Sequence, residues 1–307
     1  MLRAYGVLTL LGLIWGTNFI YMKWATAWIT PAQTVFLRVA VGFVPLALMA
    51  WRQGALTRAQ WRFAPHFAVM SVLATSLYYY GFVAGTALLP TSVAGLLSGA
   101  SPIFTLLCAW LFLRDEPPSW RMAAGVALGF AGMVLSARPW EGEHGAPLAG
   151  VLWLLAGTLS LGVSFVYARR FLSPHQLPPL ALATWQTGLA TATLLAITPL
   201  QGITALQSDP HALWGAIIGL GMLGTGAAFF MYYYCIEHLG PVRAVGATYI
   251  APVVALAIGA LVGEQVGPLQ WLALALIVGG VVLIQSGKTP ARQSTGGTSE
   301  HTAPKSL

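Results

Sequence analysis

A proline-broken apolar segment, Gly95 to Glu116 (GLLSGASPIFTLLCAWLFLRDE), returns about 150 residues later as Ala247 to Glu264 (ATYIAPVVALAIGALVGE). Both copies pass from small residues through Ser101-Pro102 or Ala251-Pro252 into an apolar run that ends at an acid. Proline removes a backbone donor and frees a carbonyl, and hydrocarbon holds no water to satisfy it. Buried neighbours or a wet cavity must supply the partner instead. Paired, broken helices in two halves of one chain therefore point to a site near a bilayer midplane.

Composition supports a bilayer as the solvent. Only 7% of the 307 residues are charged and 57% are hydrophobic, whereas soluble domains carry roughly 25% charge. Too little charge remains to cover a soluble core, so the expected class is an all-α integral membrane protein. The formal charge of +7 comes from Lys and Arg lying between apolar runs, as flanks of spans rather than a nucleic-acid patch. Cys108 and Cys235 both fall inside apolar runs, which indicates neither disulfide nor metal chemistry.

Ten segments of spanning length are expected near 4–25, 32–51, 65–88, 92–113, 118–137, 148–168, 178–199, 212–236, 241–263 and 268–286. Turn signals such as Thr30-Pro31, Pro117-Pro118, Ser173-Pro174 and Asp209-Pro210 separate them. Residues 287–307 are rich in Ser, Thr, Gly and Pro and are expected to form a disordered cytoplasmic tail. The N-terminus, even-numbered loops and C-terminus carry twelve of the 15 Lys and Arg, and the odd-numbered loops only Arg138. That asymmetry places both termini in the cytoplasm. Arg3, the first apolar run and Ala25-Thr26-Ala27 also resemble a cleavable signal peptide, although Lys23 and Trp24 suit a cleavage site poorly.

Internal echoes favour keeping the first span. Gly16-x-Asn18-Phe19-x-Tyr21-x-Lys23 matches Gly162-x-Ser164-Phe165-x-Tyr167-x-Arg169, and Thr30-Pro31-x-Gln33 matches Ser173-Pro174-x-Gln176. Gly132-Met133-Val134-Leu135 likewise matches Gly280-Val281-Val282-Leu283. Residues 1–140 and 141–286 thus form two five-helix repeats. An odd number of spans makes the second repeat enter the membrane from the opposite side. The expected architecture is ten transmembrane helices as two inverted repeats, which suits alternating access.

The chain resembles the drug/metabolite transporter superfamily, in particular its ten-helix exporters with two EamA-type repeats. The likeness rests on Trp15-Gly16-x-Asn18-Phe19, Leu37-Arg38, Ser101-Pro102 through Asp115-Glu116, and Ala251-Pro252 through Gly263-Glu264. Within that group it is most similar to the aromatic amino acid exporters. The resemblance implies export of small metabolites, amino acids among them, through a central cavity built from both repeats. Arg114-Asp115-Glu116 departs from the repeat, because the second copy has only Gly263-Glu264.

Polar residues within the spans recur at helical spacing. Ser98, Ser101, Thr105 and Cys108 form a stripe beside Pro102, and Ser160, Ser164 and Tyr167 form another. Trp15 and Asn18 share a face of the first span. Ser71, Thr75, Tyr78 and Phe82 line up in the third, which selects Tyr78 from the Tyr78-Tyr79-Tyr80 run. Trp185 and Gln186 lie within the seventh span, while Tyr249 and Pro252 represent the ninth. The expected cavity lining is therefore Trp15, Asn18, Arg38, Tyr78, Ser98, Ser101, Pro102, Ser164, Trp185, Gln186, Tyr249 and Pro252. The competing account is that small hydroxyl residues only let helices approach, or bond back to their own backbone.

Arg38 lies some six residues into the second span, on the order of 9 Å deep at 1.5 Å per residue. Facing lipid it would cost roughly 2.5–3.5 kcal/mol, so a protein-facing position is expected. It could attract a substrate carboxylate; snorkelling or pairing with helix-end carbonyls is the alternative. Lys23, nearer the edge, is expected to snorkel. All eight acids fall in loops, helix ends or tail, with none near the midplane. Facilitated diffusion or exchange therefore fits better than proton coupling. No catalytic residue, metal site or cofactor is expected, because no base neighbours a nucleophile at depth and no ligand cluster exists. The expected function is export of amino acids and related metabolites across a bacterial-type inner membrane. A carrier of phosphorylated sugars or nucleotide-sugars, or a non-transporting receptor or scaffold, remains the alternative.

Overall fold

The computed structural model describes residues 1–113 and 119–286. The Arg114-Asp115-Glu116 departure, the Pro117-Pro118 turn and the tail from 287 lie outside the described residues. Ten spans follow one another: α1 (Leu2–Thr26), α2 (Pro31–Arg52), α3 (Arg58–Leu88), α4 (Thr91–Ser98 and Ser101–Leu113) and α5 (Trp120–Ala137). Then come α6 (Leu148–Phe171), α7 (Pro179–Ile197), α8 (Pro210–Leu239), α9 (Pro241–Ala244 and Ala247–Leu261) and α10 (Pro268–Ser286). Among the described residues nine of these helices are long and apolar enough to cross a bilayer, and α9 is shorter because it is broken at 245–246. Ten crossings return the chain to the face where it began. That face is called terminal below, and the opposite one distal.

Apolar side chains on the outside of the bundle are widely exposed, as at Val44, Leu111, Ile197 and Leu261. Such a surface is stable only against hydrocarbon. Inside, the repeat is visible as reciprocal packing. A Cβ on Gly16 would stand 2.8 Å from the Ala251 carbonyl of α9, and one on its echo Gly162 would stand 3.0 Å from the Phe104 carbonyl of α4. Each of these glycines seats the proline-broken helix of the other repeat. The echo at Thr30 and Ser173 is not structural. Thr30 Oγ1 accepts the Gln33 N–H (3.2 Å) in a capping box at the start of α2. Ser173-Pro174-His175 instead forms a single 3-10 turn, and Gln176 adopts φ 47° ahead of α7.

The two broken helices cross each other. Ser92 meets Gly259, Gly95 meets Ala255 and Gly99 meets Pro252, an antiparallel seam of small residues on the distal half. After its break at 99–100, α4 turns away to lie on α6, whereas α9 lies along α1. Two further helices depart from α geometry, Val72–Leu77 in α3 and Gly215–Ala227 in α8, both π-helical. These occupy corresponding positions in the two repeats.

α5 and α10 pack along each other through glycines. A Cβ on Gly280 would fall 2.6 Å from Gly125 O and 2.8 Å from Gly129 N, both unyielding backbone atoms. Gly280→Val should cost ~1–3 kcal/mol through overpacking, read as a lower unfolding midpoint of the purified protein in detergent. Gly6→Ala, with open space around its Cβ position, should leave that midpoint unchanged.

Candidate functional site

The π segment of α8 shapes the centre of the protein. Its i→i+5 pattern displaces carbonyls from their usual partners. Thr225 Oγ1 donates to Leu220 O (3.0 Å), five residues back. The same oxygen accepts from Arg38 Nε (3.1 Å). Gly224, next in the chain, presents its carbonyl to Arg38 Nη2 at 3.5 Å and lies against the Asn18 amide. With its amide oriented to satisfy its neighbours, Asn18 donates to Ile14 O and accepts from Arg38 Nη2, both at 3.2 Å. The guanidinium rests over the Tyr79 ring, 4.0 Å from its centroid, a contact favourable by about 2 kcal/mol or more when desolvated.

Arg38 is therefore protein-facing and only 4% exposed, so it does not reach the headgroups. Its partners join α1, α2, α3 and α8, three spans of the first repeat and one of the second. Among the described residues no carboxylate is paired with it, and Nη1 meets only the Met22 sulfur at 3.9 Å. A guanidinium carries five N–H donors, and a thioether is a weak acceptor. The centre of the bundle thus holds a buried cation with spare donors and, among the described residues, no counter-charge.

Tyr78 lies within electrostatic reach of Arg38, and its ring packs on Tyr79 (4.8 Å) and Phe82 (4.7 Å). Counting at 3.6 residues per turn selects Tyr78 from the tyrosine run, but Arg38 stacks on Tyr79. The π turn at 72–77 explains the shift: it widens the helix just before the tyrosines and rotates their faces. Thr225 and Gly224 also escape a reading by periodicity, since they lie in a glycine-rich run that looks like close packing. That packing is real: Gly219 lies on Tyr21, Gly221 on Val41 and Gly226 on Pro45.

The other candidates fall into separate groups. Ser98, Ser101 and Pro102 are half-buried at the break of α4, with Pro252 buried against Gly99. Ser98 Oγ donates to Gly95 O (2.6 Å), Ser101 Oγ to Ser98 O (2.7 Å) and Ser164 Oγ to Leu161 O (2.7 Å). These hydroxyls spend their protons on their own helices and offer only lone pairs outward. Trp15 stacks at 5.8 Å from Tyr232, and the Tyr249 hydroxyl is hydrogen-bonded by Gln285 Nε2. Gln186 is buried on α7, whose Thr184 neighbour packs against Leu46 of α2. Trp185 stands apart, at the terminal ends of α3 and α7. Its indole donates to Gln60 Oε1 (2.9 Å) and its ring stacks on Phe67 (5.6 Å).

Comparison with known proteins bears on this geometry. The model of the EamA-like transporter family matches the chain twice, over residues 2–138 and 148–286. The chain belongs to that family. The EamA-like protein is 28% identical over 298 residues to "Uncharacterized inner membrane transporter YedA" of Escherichia coli (strain K12), covering 94% of this chain and 92% of that one. It is 26% identical to a "Probable terminal-alkyne amino-acid exporter" of Streptantibioticus cattleyicolor, covering 88% and 92%. A solved crystal structure superimposes with a TM-score of 0.60 at 22% identity, covering 92% of this chain and 97% of that one, which shows a shared fold. The protein is thus a multi-pass membrane transporter with two EamA repeats, and five spans in each run in opposite senses.

Thr225 lets the EamA-like bundle keep Arg38 dry. Thr225→Val should leave Nε unsatisfied at a cost of about 1–3 kcal/mol, while Thr225→Ser should stay near wild type. Thermal unfolding in detergent, compared for the two variants, reads the difference.

Proposed function

We propose that this EamA-like protein exports amino acids and related small metabolites from the cytoplasm by alternating access, as a facilitated or exchange carrier. The observation that carries this reading is the uncompensated guanidinium of Arg38 beside Asn18, Tyr78 and the π segment of α8. Burying a cation is costly unless an anion or a full set of acceptors compensates it. A substrate carboxylate entering between the repeats would fill the Nη1 donors in the bidentate geometry that guanidinium favours. One buried cation suits one carboxylate better than a diphosphate, which would call for several. The name of the amino-acid exporter from Streptantibioticus cattleyicolor points the same way, and that of YedA supports an inner membrane. The Lys and Arg asymmetry favours termini in the cytoplasm, making the distal face the outer one. Apart from the cation, Trp15 on α1, Tyr232 on α8 and Tyr249 on α9 would provide aromatic faces, and the half-buried hydroxyl stripe of α4 would provide acceptors for an ammonium group.

The test is counterflow in liposomes loaded with candidate substrates. Aromatic, aliphatic and charged amino acids are compared with their decarboxylated amines. Wild type should prefer the carboxylated member of each pair, and Arg38→Gln should abolish that preference by at least tenfold. Equal loss for acid and amine would remove Arg38 from substrate recognition. A pH gradient alone should drive no uphill accumulation, and accumulation under that gradient would exclude the facilitated reading.

A further inference from the structure

The distal face carries a polar assembly that substrate recognition does not use. Helix α4 begins after Pro90, which has no side chain able to cap it. The cap comes instead from Glu264, just beyond α9 in the other repeat. Glu264 Oε1 accepts the Thr91 N–H (2.6 Å), and Oε2 accepts both the Ser92 N–H (2.8 Å) and the Ser92 hydroxyl (2.6 Å). Gly263, at φ 87°, turns the chain so that Glu264 points back onto α4. Gly259 leaves the room, since a Cβ there would stand 2.5 Å from Glu264 Oε2 and 2.8 Å from Ser92 Cβ.

The preceding helix end is treated in the complementary way. Lys23 of α1 donates from Nζ to Ala87 O (3.1 Å) and Leu89 O (2.9 Å), the last carbonyls of α3. Snorkelling to headgroups, expected from its position near the edge, is thus replaced by capping within the protein. An acid at a helix N-terminus and a base at a C-terminus each oppose the local dipole charge. The two side chains also lie within electrostatic reach of each other. Thr91 is fully buried in the same corner and its Oγ1 has no partner.

We propose that Glu264 and Lys23 form a latch that holds the distal face closed, and that its release opens the transporter to that side. The latch joins two bodies. α1 and α9 pack along each other through Gly12 on Ile250 and Gly16 on Val254, while α3 and α4 are one continuous hairpin. Lys23 and Glu264 are the ends by which the first body grips the turn of the second. Beneath them the α4–α9 seam pairs Gly95 with Ala255 and Gly99 with Pro252, small residues that bring the two backbones close. When the bodies separate, water entering from the distal face hydrates the Thr91 and Ser92 amides and the Ala87 and Leu89 carbonyls. Borrowed caps serve this purpose where built-in ones would not: they satisfy the helix ends only while the face is shut.

Electron spin distance measurement tests this without any substrate, and so separately from the amino-acid reading. Spin labels go on Leu88→Cys and Val262→Cys, both exposed at the distal ends of α3 and α9, in a Cys108→Ala, Cys235→Ala background. The latched protein should show one dominant short distance. Glu264→Gln and Lys23→Met should each raise a longer-distance population about tenfold. The double variant should exceed neither single by much, because both break one assembly. Gly259→Ala keeps both charges but displaces the carboxylate, and should shift the distribution in the same direction even if Glu264→Gln folds poorly. A lower unfolding midpoint with unchanged distances in all of these variants would reduce the assembly to a structural cap and overturn the latch.

Discussion

In hydrocarbon, a polar group that leaves its own helix must find a partner on another, because no water waits outside. The architecture of this transporter follows from where such groups leave. Prolines and π turns interrupt α3, α4, α8 and α9, and helix ends leave further carbonyls and amides open. Arg38 settles on the π segment of α8, and Lys23 on the last carbonyls of α3. Two of the cross-links between the repeats, Arg38 to Thr225 and Ser160 to Leu73 O, fall on the π segments of α8 and α3.

Two levels of polar assembly result. At the centre, Arg38 is held by hydroxyl, amide and aromatic groups of three other spans, and its charge is paired with no carboxylate among the described residues. At the distal face, polar side chains reach helix ends and loops of other spans. Gln33 reaches Pro199 O and Gln201 O (2.8 and 2.9 Å), Trp28 reaches Asp209 (3.3 Å), and Arg138 reaches Gln270 (2.8 Å) as well as Glu141.

The inverted repeat links the levels. Gly16 and Gly162 lie at equivalent places in the two halves and perform the same task, admitting the broken helix of the other half. The symmetry is looser at the turns, where the Thr30 capping box has no structural counterpart at Ser173. Helix contacts keep the repeated small residues, whereas the connections diverge.

Apolar run length, proline placement and sparse charge were enough to indicate ten spans, two units and a protein-facing Arg38, because hydrophobic thickness and the insertion cost of a cation act on sequence directly. Asn18 was legible as a polar residue on a glycine-bearing face. Tyr79 was not, since a π turn changes the face a residue occupies and leaves no periodic trace. Nor was the place of Glu264 evident: an acid after the last turn of a span looks like a loop residue until its partners, 172 and 173 residues away, are brought beside it. Local chemistry determined which residues could not face lipid. Only the tertiary structure decided which of them met, because those meetings join different spans, some of them from opposite repeats.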